Sequence, residues 1–526
     1  MEFILYSDIN ERSISSNLGV PEYSYFFVLK AYRRALETFA SVHCVQAEEE
    51  IAPLQARLAE EGKTCVVLVF APPHKAPIDL PCQTLCVVAW EYDSIPDTAW
   101  DDEPRHDWRY VFARHGAVIT LSSHTQRAVK AAMGEDFPVL VLPAPLWEQF
   151  ESQRQTGRRT PVCEPTTLEI RGSIIDTRLL GLSADGLIAP ILEPAAPEAT
   201  AVEPVAVEPE AVAPPELTLG RRWLISKHYL RLWYREAASD LLPRRVALAL
   251  GQWRAARRLA PATVEPPPPL PEARPEAPPE SEEHPQAILP ATDQLVSTPI
   301  EGVVYTSVFN PDDGRKNWEQ LVTAFCWAFR DTEDATLVLK ITQRDLSVYY
   351  VRMLTLLSQL SPFKCRVLVL HGFLEDEQFG RLFSATSFYV NFSRCEGLCL
   401  PLMEFLACGK PALAPAHTAM ADYVDDSLAL VIPAGHEHSV WPQDSRILYR
   451  TLRHRPDWGA LMRAYQDSYR IARQQPARYE TMSQAALARM RSYADTARFQ
   501  AQLSAFVQRA DSPAAAARPA AYAGNI

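Results

Sequence analysis

The chain has 526 residues, 47% of them apolar and 22% charged, with a formal net charge of −12. That length calls for two or three domains, and that charge argues against a nucleic-acid binder. No apolar run approaches the ~20 residues needed to span a bilayer.

The first residues, MEFILYSDINERS, turn polar too early for a signal peptide. Over 1–150, apolar runs at 3–6, 65–70, 85–90, 117–121 and 139–142 read as buried parallel strands, with helical periodicity at 25–39 and 125–133. This alternation predicts a doubly wound α/β sheet, whose ligands bind beyond the carboxyl ends of the strands. Those ends carry Asp8, then Asn17-Leu18-Gly19-Val20-Pro21, then His74-Lys75, then Trp90-Glu91-Tyr92-Asp93. Gly19, His74 and Glu91 are the candidates for a cleft on this side, and each also admits a purely structural reading.

Residues 151–190 are poorly patterned, with one extra strand at 168–175 that finds no place. Residues 191–217 hold six Glu, six Pro and no basic residue, the composition of a stiff, solvated linker, and 261–290 repeat that character. Between them, 221–259 carry ten Lys and Arg against Glu236 and Asp240, interleaved with Trp223, Trp233 and Trp253. Pro243 divides the segment into two helices. Basic residues mixed with Trp suit an anionic membrane surface; packing on the protein's own acidic surface and a hairpin without a partner are the plainer readings. The stretch 151–299 is read as an insert.

From 300 a second alternating unit begins, with strands at 303–309, 335–341, 365–370, 388–391, 411–414 and 428–432 and helices at 318–329 and 348–360. Its first strand exits into Asn310-Pro311-Asp312-Asp313-Gly314-Arg315-Lys316-Asn317-Trp318. Lys340 ends another strand, and His371-Gly372-Phe373-Leu374 follows a third. At 391–411 a strand end passes through the turn Ser393–Gly397 into a short helix, with Pro401 at its first position and Gly409 at its carboxyl end. Such a turn aims backbone N–H groups and the positive helix end at a phosphate or diphosphate. Glu396 and Glu404 frame it, where they could accept hydrogen bonds from sugar and ribose hydroxyls. A solvated loop acid and a favourable acid in the first helical turns are the bland alternatives. Residues 300–490 make the second domain; 445–510 read as helical throughout, with 491–510 crossing back to the first domain, and 511–526 as a disordered tail. The ten cysteines, mostly in apolar surroundings, lack zinc spacing: Cys82/Cys86 and Cys395/Cys399 have no second matched pair. They read as reduced thiols, with no metal, in the cytoplasm.

The wording of this last motif is more specific than its spacing. Glu396-Gly397-Leu398, Pro401-Leu402, Glu404 and Cys408-Gly409-Lys410-Pro411 resemble the E-x7-E signature of the retaining glycosyltransferases of family 4. Trp90-Glu91 with Pro96 and Trp100, and Leu121-Ser122-Ser123, are more weakly similar to its acceptor domain. The resemblance implies a GT-B fold, two facing Rossmann-like doubly wound domains, here with a long insert carrying a basic helical segment. It implies transfer of a sugar, with retention, from a nucleoside-diphosphate sugar to a glycan or lipid-linked glycan in surface polysaccharide synthesis, without a bound cofactor. By that likeness Glu396 contacts the donor sugar and Glu404 the ribose, while Gly397, Leu398, Gly372 and Phe373 supply backbone around the donor. Lys316 matches the family's diphosphate-binding Lys. The family's Arg is replaced by Asn310, so Arg315 is the second charge of the clamp, and Lys340 is a further donor contact. The enzyme would be cytoplasmic, either free or peripheral on the inner face of the membrane through 221–259. Readings from other classes are a sugar-nucleotide epimerase of the same fold and a non-catalytic scaffold.

Overall fold

The computed structural model describes residues 1–9, 23–157, 160–180, 223, 226–227, 230, 295–343, 347–372, 374, 376–442, 444 and 446–510. Gly19, Phe373, the linkers 191–217 and 261–290, nearly all of 221–259 and the tail 511–526 lie outside the described residues. Both large sheets belong to one compact unit, Met1–Ala189, Gln286–Ser439 and Thr451–Ile526. In the other unit, Pro190–Pro285 with Val440–Arg450, Trp441 and Tyr449 meet edge to face at 6.3 Å.

The first sheet is wholly parallel: β1 (Glu2–Tyr6), β2 (Ser41–Val45), β3 (Cys65–Val69), β4 (Gln83–Val88), β5 (Val118–Thr120) and β6 (Val139–Val141), in the order β2-β1-β3-β4-β5-β6. Helices α1 (Tyr23–Leu36), α2 (Ile51–Glu60), α3 (Trp108–His115) and α4 (Ser123–Met133) connect them. Strands buried on both faces must be apolar throughout, and the runs Val66–Phe70 and Leu85–Val88 are fully enclosed. Asp107 caps α3 by accepting from the Arg109 amide, and Ser122 caps α4 by accepting from the Thr125 amide.

After α5 (Glu151–Thr156) the chain enters the second sheet through β7 (Cys163–Arg171) and β8 (Ser173–Asp176). The sheet continues with β9 (Leu295–Phe309), β10 (Ala335–Ile341), β11 (Arg366–His371), β12 (Phe388–Val390), β13 (Ala412–Ala414) and β14 (Ala429–Val431). Its order is β14-β13-β12-β9-β10-β11-β8, parallel except that β8 runs antiparallel to β11 and β7 antiparallel to the first half of β9. Helices α6 (Trp318–Ala328), α7 (Ser347–Leu360), α8 (Asp376–Ala385) and α9 (Leu400–Ala407) cover it. The single unplaced strand expected at 168–175 is therefore two, parted at Gly172, and 163–176 together with 295–299 join this sheet rather than the insert. The break has a steric cause: a Cβ on Gly172 would sit 2.2 Å from the His371 carbonyl oxygen, and one on Gly372 would sit 2.6 Å from that of Arg171.

Helix does not run throughout 445–510. Residues Arg450–Pro456 form β16, paired with β15 (Ala434–Val440), and helix resumes only after Asp457, whose carboxylate accepts from the Ala460 amide. Then come α10 (Trp458–Gln474), α11 (Pro476–Tyr493) and α12 (Thr496–Ala510). The last of these crosses back to the first sheet's side, where Phe499 meets Tyr32 of α1 edge to face at 4.8 Å. The carboxyl ends of the two sheets face each other. A Cβ on Gly397, after β12, would lie 3.0 Å from the Trp90 amide nitrogen just beyond β4. Two doubly wound units opposed in this way are the GT-B arrangement that the motif resemblance implies.

Candidate functional site

The loop after β9 is shaped by its own side chains. Asn310 accepts from the Asp312 amide through its side-chain oxygen, and Asp313 accepts from the Arg315 amide. Asn317 then takes a left-handed conformation, φ 52°, which turns the chain into α6. These turns deliver Arg315 and Lys316 together to the loop after β12.

There they meet Glu396, which is 2% exposed. Lys316 Nζ donates to its Oε1 at 2.6 Å, Arg315 Nη1 to its Oε2 at 2.7 Å, and the Ser393 hydroxyl to Oε1 at 2.6 Å. The Glu396 amide donates to the Thr418 hydroxyl at 3.0 Å. Burial alone would raise the Glu396 carboxyl, but the Lys316 and Arg315 charges and the hydrogen bonds from Lys316 and Ser393 hold it far below the usual carboxylate range. It is therefore fixed as an anion in a dry site, and its partners were invisible in the sequence except Arg315 and Lys316.

Arg315 is the hub. Its Nε also lies 2.8 Å from Asp313 and 3.3 Å from Glu91, and its Nη1 donates to the Cys395 carbonyl at 3.0 Å. Burial works against its charge, yet Asp313, Glu396 and Glu91 together hold the guanidinium well above its ordinary value. Glu91 comes from the first sheet, so this ion pair spans the cleft. Burial raises its carboxyl, Arg315 lowers it, and Asp313 and Glu396 raise it further; the net direction is up.

Glu404 stands on α9, behind the same turn. Pro401 lies at the start of that helix, Gly409 follows its end at φ +73°, and Leu398 is buried with its carbonyl accepting from the Tyr423 hydroxyl at 2.8 Å. Burial, with the charge of Asp376, pushes the Glu404 carboxyl up to about 7. Burial raises the Tyr389 phenol, and the charges of Cys399, Glu396 and Glu404 raise it further. Lys340, at the end of β10, is 3% exposed; its Nζ donates to its neighbour Ile341's carbonyl at 3.2 Å, and burial pulls it down to about 8.

A Cβ on Gly372 would meet the backbone of Arg171 and Gly172, so the position requires glycine whatever its part in donor binding. His74 lies in a short turn against the Trp108 and His106 rings, at 6.2 and 5.9 Å between centroids, an aromatic packing role. Among the described residues no group of three or more His, Cys, Asp or Glu is placed to hold a metal ion, and no helix is long and apolar enough to cross a membrane.

No protein-family model matches the chain, and no curated protein sequence matches it. Among solved structures it is similar to Anabaena HepE in complex with UDP, at 12% identity and a TM-score of 0.44 over 97% of this chain and 100% of that one. It is similar also to sucrose-phosphate synthase from Thermosynechococcus elongatus, at 13% identity and a TM-score of 0.45 over 97% and 98% of the two chains.

Proposed function

We propose that the chain is a retaining glycosyltransferase that moves a sugar from a nucleoside-diphosphate sugar to a glycan or lipid-linked glycan acceptor, with the nucleotide sugar as substrate and no resident cofactor. The observation that carries this reading is the buried Glu396 anion clasped by Lys316 and Arg315 at the mouth of two opposed sheets. A leaving nucleoside diphosphate accumulates negative charge in the transition state, and preorganised cations in a site screened from water stabilise it. Lys316 and Arg315 are those cations. A diphosphate would take over part of the charge that Glu396, Glu91 and Asp313 now neutralise, leaving Glu396 to accept hydroxyls of the donor sugar. Glu404, whose raised carboxyl exchanges its proton near neutrality, would hold the ribose, and Lys340 would meet donor charge from the strand end. The motif resemblance brings no enzyme nucleophile beneath the sugar. The favoured course is therefore same-face attack, with the departing phosphate accepting the acceptor's proton.

A thermal-shift series with UDP, GDP, ADP and dTDP tests the donor half. The true nucleotide at 100 times its dissociation constant adds about 2.7 kcal/mol of stability. With that donor, Glu396→Gln should lower transfer by about 100-fold or more while the chain stays folded. Unchanged transfer, or no shift with any of the four, would remove the assignment.

A further inference from the structure

Beside Glu396 lies a file of imidazoles that the donor reading does not use. The His417 and His454 rings stack with centroids 4.3 Å apart and planes 11° from parallel, and His436 leans on His454 at 4.8 Å. His417 immediately precedes Thr418, whose hydroxyl accepts the Glu396 amide, so the file starts at the donor carboxylate. His436 and His454 stand on β15 and β16. On the opposite side His124, in the first turn of α4, lies within electrostatic range of His454. The His124 ring bonds to the backbone of Glu91 and Tyr92, the first-domain stretch that meets Arg315.

Three of these rings carry buried nitrogens without a hydrogen-bond partner: Nε2 of His124, Nε2 of His417 and Nδ1 of His454. His417 itself is 7% exposed. Buried polar atoms are almost always satisfied, so three orphans on three elements at one junction leave bonds for a ligand's polar groups to complete. Beside them Arg394 Nε is a further buried atom without a partner, while the other neighbouring charges are paired. Glu437 binds both Arg394 and Arg453, at 3.0 and 2.9 Å, and Asp93 accepts from the Thr451 hydroxyl and the Leu452 amide. Burial holds all three imidazoles below their ordinary pKa, hence neutral. A neutral imidazole has one N–H, and where that N–H donates to a backbone carbonyl, as in His124, the remaining nitrogen accepts, so the fitting group is one that donates a proton bond. Hydroxyls do so; a phosphate seeks fixed positive charge.

We propose that His124, His417 and His454 line the acceptor subsite and bind hydroxyls of an uncharged carbohydrate. The assignment rests on the donor reading of Glu396, because a second sugar beside that carboxylate is the one that receives. It places recognition of the acceptor on both domains, so the subsite is complete only when they are together.

Saturation-transfer NMR with the methyl glycosides of glucose, galactose, mannose and N-acetylglucosamine tests it, run with the nucleotide found by thermal shift and with inorganic phosphate as competitor. The variants are His124→Phe, His417→Phe and His454→Phe, which keep a ring and remove the nitrogens. At least one glycoside should bind the native chain, and each variant should weaken it tenfold or more while nucleotide affinity stays within twofold. The histidine ring signals of the native chain should shift on adding that glycoside, a readout that needs no variant to fold. Equal affinity in the variants, unmoved ring signals, displacement by phosphate, or binding of nucleotide but of no glycoside overturns the subsite. Glycoside binding without any nucleotide binding would sink the donor reading and with it the acceptor role, leaving the histidines as a plain carbohydrate site.

Discussion

Lys340 shows how a single buried group ties stability to ligand binding. Its ammonium sits in the sheet and donates to a backbone carbonyl, no carboxylate among the described residues acts on it, and burial lowers it from 10.5 to about 8. The sign follows from linkage. Above about 10.5 the group is neutral folded or unfolded; as pH falls toward 8 the unfolded chain takes up the proton first, so stability is lost across that window. At pH 7 the full penalty stands, on the order of 3 kcal/mol from 2.5 pKa units. Lys340→Met should therefore raise the unliganded chain's stability at pH 7 by about 2–3 kcal/mol in urea denaturation, and weaken binding of the nucleoside diphosphate. A variant no more stable than the native chain would show that the charge is solvated after all. The sequence marked Lys340 only as a strand-end cation; its isolation is a property of the fold.

Elements are held at the second sheet's edge by one buried ion pair. Arg366 on β11 donates to Asp176 at the end of β8 at 2.6 and 3.1 Å, and also reaches the Pro299 carbonyl and Thr298 hydroxyl of β9. Both partners are 4% exposed at their side chains. Removing one partner of such a pair strands the other charge, so Asp176→Ala should cost about 3–5 kcal/mol by urea denaturation. Replacing both by apolar residues should cost much less. A small loss in the single variant would mean that the Arg finds water. This edge is also where the sequence was least readable. The central strands, such as β3, β4, β10 and β11, are apolar end to end because both faces are covered, and they stood out. β2, β7 and β16 carry polar residues toward solvent and mimic loop or helix; β8 is too short to separate from β7 without knowing that Gly172 must pass under His371. The same contrast governs the site. Glu396, Glu404, Arg315 and Lys316 lie in short local patterns and were legible, whereas Ser393, Thr418 and the histidine file take meaning only from three-dimensional neighbours.

At the scale of the molecule, polar ties bridge the two domains around the cleft. Asp422, from the second domain, accepts from the Ser123 amide at 2.7 Å and from the Ser123 hydroxyl, completing the N-terminus of α4 across the interface. Asp93 reciprocates from the first domain to Thr451 and Leu452, and Glu91 to Arg315. Asp422→Ala should leave the core folded but speed hydrogen exchange at the Ser123 amide by tenfold or more, because that donor loses its acceptor at the domain seam. Protection equal to the native chain would show that the tie is decorative. None of these partners could be paired from sequence, since 299 residues separate Ser123 from Asp422. One further consequence concerns the register in which Arg171 stands opposite Leu295. The chain departs after β8 and comes back as β9 beside β7, so both of its ends are anchored in the same sheet. Changes of length or wording between residues 181 and 294 should therefore leave both ends where the strands hold them, a freedom that comes from one antiparallel ladder.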